Sequence, residues 1–230
     1  MNRLDGALDA VLHLLDRQVV DKDGLAVCKV DDVELSENKS GRLAVTGLLA
    51  GPAALVPRYG GHRGGVLRRQ WLRIGVEQSG RGAPWRIDLD DVERLGSAVE
   101  LRVEREGLLT RQGDAPSGIT RRRLGELLQM EVEGPDGADL GGLIDVRVEN
   151  HRREPGDRLL VVGLLVGRGG PGSTLGYDRR SEQGPWLVNR IVRWLHRHAG
   201  YVEWDDVQEV DWGAGRITAA TDEPADLEPA

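Results

Sequence analysis

Cysteine occurs once in this chain, at Cys28, so no internal disulfide can form and the expected setting is a reducing cytoplasm. Long apolar runs are also missing. The longest, Leu159 to Val166, falls far short of the roughly 20 residues that a membrane-spanning helix needs. The opening MNRLDGALDAVLHLLD carries acids through its apolar face and has no basic flank, unlike a secretory leader. Phenylalanine is absent, and Lys22, Lys29 and Lys39 are the only lysines. With its many glycines and arginines, this composition reads as the codon usage of a high-GC bacterial genome. Arginine richness therefore carries little functional weight by itself. The formal charge of −7 argues against nucleic acid as a partner, because binding by counterion release requires a basic surface.

What the chain does have is a repeat. LLDRQVVDKDGLAVCKVDDVEL from Leu14 aligns without a gap to LLQMEVEGPDGADLGGLIDVRV from Leu127. Further on, RLAVTGLLAG from Arg42 matches RLLVVGLLVG from Arg158, Tyr59 answers Tyr177, and LDDVERL from Leu89 matches WDDVQEV from Trp204. A repeat of this length is a domain-sized unit. It predicts a first domain over residues 1–106, a Gly- and Pro-bearing linker over 107–119, a second domain over 120–218, and an acidic, disordered tail over 219–230. It also acts as a filter: a residue present in one copy only is not required by the fold both share. Cys28, with Gly141 at its place in the second copy, fails that filter as a nucleophile.

Each copy reads as mainly β. Val19-Val20 and Leu25 to Val30 flank DKDG, whose Asp-Gly suits a tight hairpin. Asp32 to Leu35, Leu43 to Leu49, Arg86 to Leu89 and Val99 to Val103 continue the first copy. The second has strands near Met130 to Glu133, Asp139 to Val148, Leu159 to Gly167, Tyr201 to Glu203, Val207 to Trp212 and Arg216 to Thr218. Short amphipathic helices are expected over Leu4 to Leu15, after an N-cap at Thr120, and from Pro185 to Gly200. Many short strands with Gly-rich turns and few helices point to small barrels.

The residues Leu14, Leu15, Val19, Asp21, Asp23, Gly24, Val30, Asp32 and Val33 form a pattern that resembles the start of a PRC-barrel domain. The second copy shows it through Leu127, Leu128, Val132, Asp136, Gly137, Gly142, Leu143, Asp145 and Val146. Cys28-Lys29 departs from the glycine usual in that family, and Gly134-Pro135 replaces the acidic turn entry. The resemblance implies two tandem six-stranded barrels related by a pseudo-two-fold, and a docking role. It supplies no catalytic residues and no cofactor, and fold alone licenses none.

The remaining motifs yield little chemistry. Gly167-Arg168-Gly169-Gly170-Pro171-Gly172 has the letters of a dinucleotide loop but opens no helix. Asp21-x-Asp23-Gly24 lacks the later ligands of a calcium loop. Asp90-Asp91 and Asp205-Asp206 read as turn or solvated acids. His196 and His198 stand at a spacing unsuited to zinc on a helix, and no metal or cofactor is expected.

Two Arg/Trp segments exceed what a barrel requires: Arg68, Arg69, Trp71 and Arg73, then Arg190, Arg193, Trp194 and Arg197. Arginine with tryptophan is the composition of interface hot spots and of helices lying on anionic membranes. The reading is a non-enzymatic, cytoplasmic adaptor that binds a protein partner, one at the inner face of a membrane included. Two alternatives stand beside it: a ribosome-maturation or RNA-processing factor, and a small-ligand binder.

Overall fold

A computed structural model of the chain describes residues 3–55, 83–115, 117–150, 159–167 and 199–226. The chain divides into two compact units. The first takes Met1–Glu126 and Arg147–Val161, the second Leu127–Val146 and Val162–Pro229. Its described structure is mainly β, with helices of a single turn.

In the first unit the strands are β1 (Leu8–Asp9), β2 (Gln18–Val20), β3 (Ala26–Lys29), β4 (Asp32–Glu37), β5 (Leu43–Ala50), β6 (Trp85–Asp88), β7 (Val92–Leu95), β8 (Val99–Leu101), β9 (Thr110–Arg111) and β10 (Thr120–Arg123). One sheet runs β3-β2-β8-β7. A second ladder joins β10, β4, β5, β6 and β9 through antiparallel pairs. The apolar alternation expected of half-buried strands puts Val19, Leu35, Val45, Leu48, Leu95 and Val99 in its core.

The second unit holds β11 (Glu131–Glu133), β12 (Asp139–Asn150) up to Val146, β13 (Leu159–Gly167) from Val162, β14 (Ala199–Glu203), β15 (Val207–Asp211), β16 (Arg216–Ala219) and β17 (Ala225–Asp226). Strand β11 pairs antiparallel with β12 and parallel with β16, and β15 closes the far side of β16. β14 lies between β13 and β17.

The repeat is visible atom by atom. Val19 pairs in parallel with Val99, and its counterpart Val132 does so with Ile217. Both hairpins are closed by the same bonds: Gly24 N–H donates to Asp21 O and Gly137 N–H to Gly134 O, each at 3.0 Å. Both glycines take positive φ, 77° and 75°. Buried Asp32 accepts from the Val33 amide at 2.8 Å, and buried Asp145 from the Val146 amide at 2.7 Å. Gly47 and Gly163 are equivalent positions that leave room for a crossing side chain. Arg86 crosses the first and donates to Thr46 O at 2.9 Å, whereas Tyr201 crosses the second and donates to Val162 O at 3.1 Å.

Several expectations are corrected. Among the described residues the sheets are open ladders and no closed barrel is formed. The leading helix shrinks to Ala10–His13, because Leu8–Asp9 is drawn into pairing with Val148–Arg147. Thr120 is not a helix cap: Thr120–Arg123 is a strand on β4, and the helix starts at Leu124. Within the expected tail, Ala225–Asp226 pairs with Gly200–Tyr201. The helix expected from Pro185 lies outside the described residues up to His198, and its proposed stop, Gly200, is in β14.

A methyl group added at Gly24 or Gly137 would meet nothing within 4 Å, so Gly24→Ala and Gly137→Ala test the backbone alone. Each should lower stability to urea by about 1 kcal/mol, the cost of a left-handed L-residue. Gly163→Ala drives its methyl into the Tyr201 ring and should cost distinctly more. Equal losses at all three sites would contradict this assignment.

Candidate functional site: arginines around a buried glutamate

In β4 the alternation Asp32-x-Glu34-x-Ser36 sets polar residues on one face of an interior strand. Glu34 is 1 % exposed, a position that demands compensation for its charge. Four side chains provide it. Oε1 accepts from Arg86 Nε and from the Thr46 hydroxyl, both at 2.9 Å. Oε2 accepts from Gln112 Nε2 at 2.6 Å and faces Arg121 Nε at 3.2 Å. A register shift opposite Glu34 and Leu35 leaves Thr46 unpaired in the ladder, which turns its hydroxyl toward the carboxylate.

The second layer extends the network. Arg86 also donates to Asp88 at 2.8 Å. Arg123, directly opposite Glu34 across the β10–β4 pair, donates to Ala53 O at 2.9 Å and approaches Gln112 Oε1 at 3.5 Å. Arg121 also donates to Gly113 O, and Arg122 donates to Glu37 at 2.8 Å. Next to this cluster, Arg111 stacks over Trp85 with its guanidinium 3.8 Å from the ring centroid, a cation–π pair. Burial alone would push the Glu34 carboxyl up. The bonds from Gln112 and Arg86, the Arg86 charge and the Thr46 hydroxyl outweigh burial and hold it below its usual 4.5. Asp88 is likewise lowered, since its bonds from Arg86 and the Asp90 amide exceed its burial.

A matching pair lies elsewhere in the first unit. The residue equivalent to Glu34 is Arg147, also buried, and it donates to Asp9 at 2.9 Å. Asp9 sits directly opposite Arg147 in the β1–β12 pair, just as Arg123 sits opposite Glu34. β1 and β10 are themselves equivalent, each followed at once by a one-turn helix, Ala10–His13 and Leu124–Leu127. Each lead-in strand therefore pairs with the β4-type strand of the other copy. The charges are reversed between the two exchanges.

The Arg/Trp residues singled out by sequence, Arg68, Arg69, Trp71, Arg73, Arg190, Arg193, Trp194 and Arg197, all lie outside the described residues. Asp21 forms a turn, accepting from the Asp23 and Leu25 amides at 3.0 and 2.8 Å. Asp88 caps the single 3-10 turn that carries Asp90 and Asp91. His13 Nδ1 accepts from the Asp9 amide at 3.0 Å. Burial, reinforced by the charge of Asp31, pushes the Cys28 thiol up to about 11, far from a ready thiolate. Among the described residues no group of three His, Cys, Asp or Glu is placed to hold a metal ion.

Sequence reasoning missed the Glu34 cluster because its members are far apart in the chain. The usable signal was the run Arg121-Arg122-Arg123, an unusual entry to an expected helix. No protein-family model matches the chain, and no curated protein matches it.

The Glu34 carboxyl is depressed in the fold, so its contribution is complete above the unfolded carboxylate range and is lost as pH falls through its folded value. Glu34→Gln should therefore cost about 3 kcal/mol at pH 7, where it strands a partly buried arginine. It should also flatten the loss of stability below about pH 4.5. Urea titrations of both proteins from neutral to acid pH check this. Parallel pH profiles would contradict the assignment.

Proposed function

We propose that this chain is a non-enzymatic docking protein built on two PRC-barrel-like modules. In this reading the two copies are related by a pseudo-two-fold, and the Arg/Trp segments around Trp71 and Trp194 engage a protein partner, one at the inner face of a membrane included. The observation that carries it is the exact recurrence of the scaffold beside the divergence of its polar groups. The Asp-Gly hairpin is closed by the same backbone bond in both copies, and Asp32 and Asp145 each accept from the amide of the following valine. The groups that could do chemistry differ between copies, Arg86 against Tyr201 and Glu34 against Arg147, and all four hold strands together.

A scaffold conserved between copies, with clusters around Glu34 and Arg147 that differ, supports binding rather than catalysis. Arginine and tryptophan supply the large, planar contacts on which interface affinity concentrates. No helix among the described residues is long and apolar enough to cross a membrane.

Affinity capture from the native cell with wild type and with Trp194→Ala/Arg193→Glu, each shown to melt normally, tests the proposal. A partner enriched by wild type should fall by about tenfold or more with the double variant. An unchanged set of partners removes the proposed surface.

A further inference from the structure

The repeat runs one strand further in the fold than in the sequence. With LDDVERL aligned on WDDVQEV, Trp85 corresponds to Gly200 and Arg86 to Tyr201. In the first copy β9 adds to β6, with Trp85 opposite Arg111 and Arg86 opposite Thr110. In the second, β17 adds to β14 in the same register, with Gly200 opposite Asp226 and Tyr201 opposite Ala225. Each copy is closed by an extended segment laid along its β6-type strand.

The two closures are held differently. In the first, Arg111 stacks on the Trp85 ring, the Gln112 N–H donates to Pro84 O at 3.0 Å, and the Gln112 side chain reaches Glu34. Gly200 offers no ring. The space a side chain would fill there is taken by Pro224, which a methyl at Gly200 would strike at Cβ. Pro224 stands two residues before Asp226, on the same face of the added strand, and having no N–H it suits the place just ahead of the paired residues. A methyl at Gly134 would likewise strike the Asp222 carboxylate. Ala225 and Asp226 themselves are exposed. The edge therefore selects a proline at a bare glycine and takes the following residues through backbone pairing.

Charge is where the chain's own segment fits badly. The register that sets Tyr201 against Ala225 brings Glu223 abreast of Glu203, two residues further along. Both are exposed, and the Glu203 side chain does not cap the 3-10 turn that follows it. Like charges opposite one another destabilise a strand pair. A lysine or arginine in the place of Glu223 would turn that repulsion into attraction. A second copy of this chain brings the same glutamate, so it gains nothing over the segment already attached, which has the advantage of high local concentration. Resting on the docking function above, we infer that the outer edge of β14 binds an extended partner segment with Lys or Arg, proline and a small residue in succession. Residues 221–226 are a weak internal stand-in that such a segment displaces.

The test is fluorescence anisotropy of the full chain with three labelled hexapeptides: TDEPAD, the chain's own sequence; TDKPAD, with lysine ahead of the proline; and TDKGAD, without the proline. TDKPAD should bind about fivefold more tightly than TDEPAD, and TDKGAD about fivefold more weakly than TDKPAD. Pro224→Gly loosens the internal segment and should tighten TDKPAD by about tenfold. Gly200→Ala, whose methyl has Pro224 as its nearest neighbour, should abolish binding, and Glu203→Gln should bring TDKPAD and TDEPAD level, each variant first shown to melt normally. Amide exchange in wild type gives a readout free of variants: TDKPAD should speed exchange at Ala225 and Asp226 without exposing Gly200 and Tyr201.

No binding of TDKPAD to wild type or to Pro224→Gly overturns the inference, as does binding that survives Gly200→Ala or a lysine preference that survives Glu203→Gln. A wild-type dimer lost on Gly200→Ala, with no peptide bound, overturns it in favour of exchange between copies. If peptide binding is absent while Trp194→Ala/Arg193→Glu still abolishes partner capture, the docking function stands and only the β14 site falls. Peptide binding with captured partners unchanged in that double variant leaves the β14 site standing and removes the Arg/Trp surface.

Discussion

The fold depends on opposite charges meeting across borrowed strands. Each copy is completed by a lead-in strand from the other, and at each exchange one buried residue of the host strand faces an oppositely charged residue of the guest. Glu34 is the host residue in one case, with Arg121 bonded to it and Arg123 opposite it. Arg147 is the host residue in the other, bonded by Asp9. Burying such groups costs several kcal/mol per ion, and the pairing offsets this only when the geometry and the remaining hydrogen bonds are satisfied. Glu34 meets that requirement with four donors.

Reversal of sign between the two exchanges gives them specificity. A β1 strand laid on β4 would set Asp9 against Glu34, and a β10 strand laid on β12 would set Arg123 against Arg147. Like charges opposed on neighbouring strands are destabilising, more so where water is excluded. A repeated sequence is prone to mispair, since each strand has a near-identical alternative site. These pairs separate the alternatives by electrostatics. The same logic explains why the first compact unit gathers 147–161 from late in the chain.

Local patterns in the sequence were enough to find the Asp-Gly hairpins, the strands of the two parallel pairs, and Asp32 and Asp145 as counterparts. Those features are set by near neighbours and by period-two alternation. The lead-in strands were missed for a physical reason. Leu4, Leu8, Val11, Leu12 and Leu15 fit a helical face, yet Leu8–Asp9 is captured by a strand 138 residues away, and Thr120–Arg123 by β4. Tertiary pairing overrode local preference in both. The Glu34 cluster was equally hidden, because nothing in the pattern of β4 says that a glutamate there is buried rather than solvated. The arginines brought to it from β6 and β10, with Thr46 and Gln112, make that position tenable.

The most direct test of this account is a double-mutant cycle on the Asp9–Arg147 pair, using Asp9→Ala, Arg147→Ala and the double variant in urea unfolding at neutral pH, with the charge-reversed pair Asp9→Arg/Arg147→Asp alongside. If opposite charge holds the exchanged strand, the two single losses should be coupled by at least about 2 kcal/mol, and the reversed pair should recover most of the stability lost by either reversal alone. Additive losses, with no recovery in the reversed pair, would contradict it.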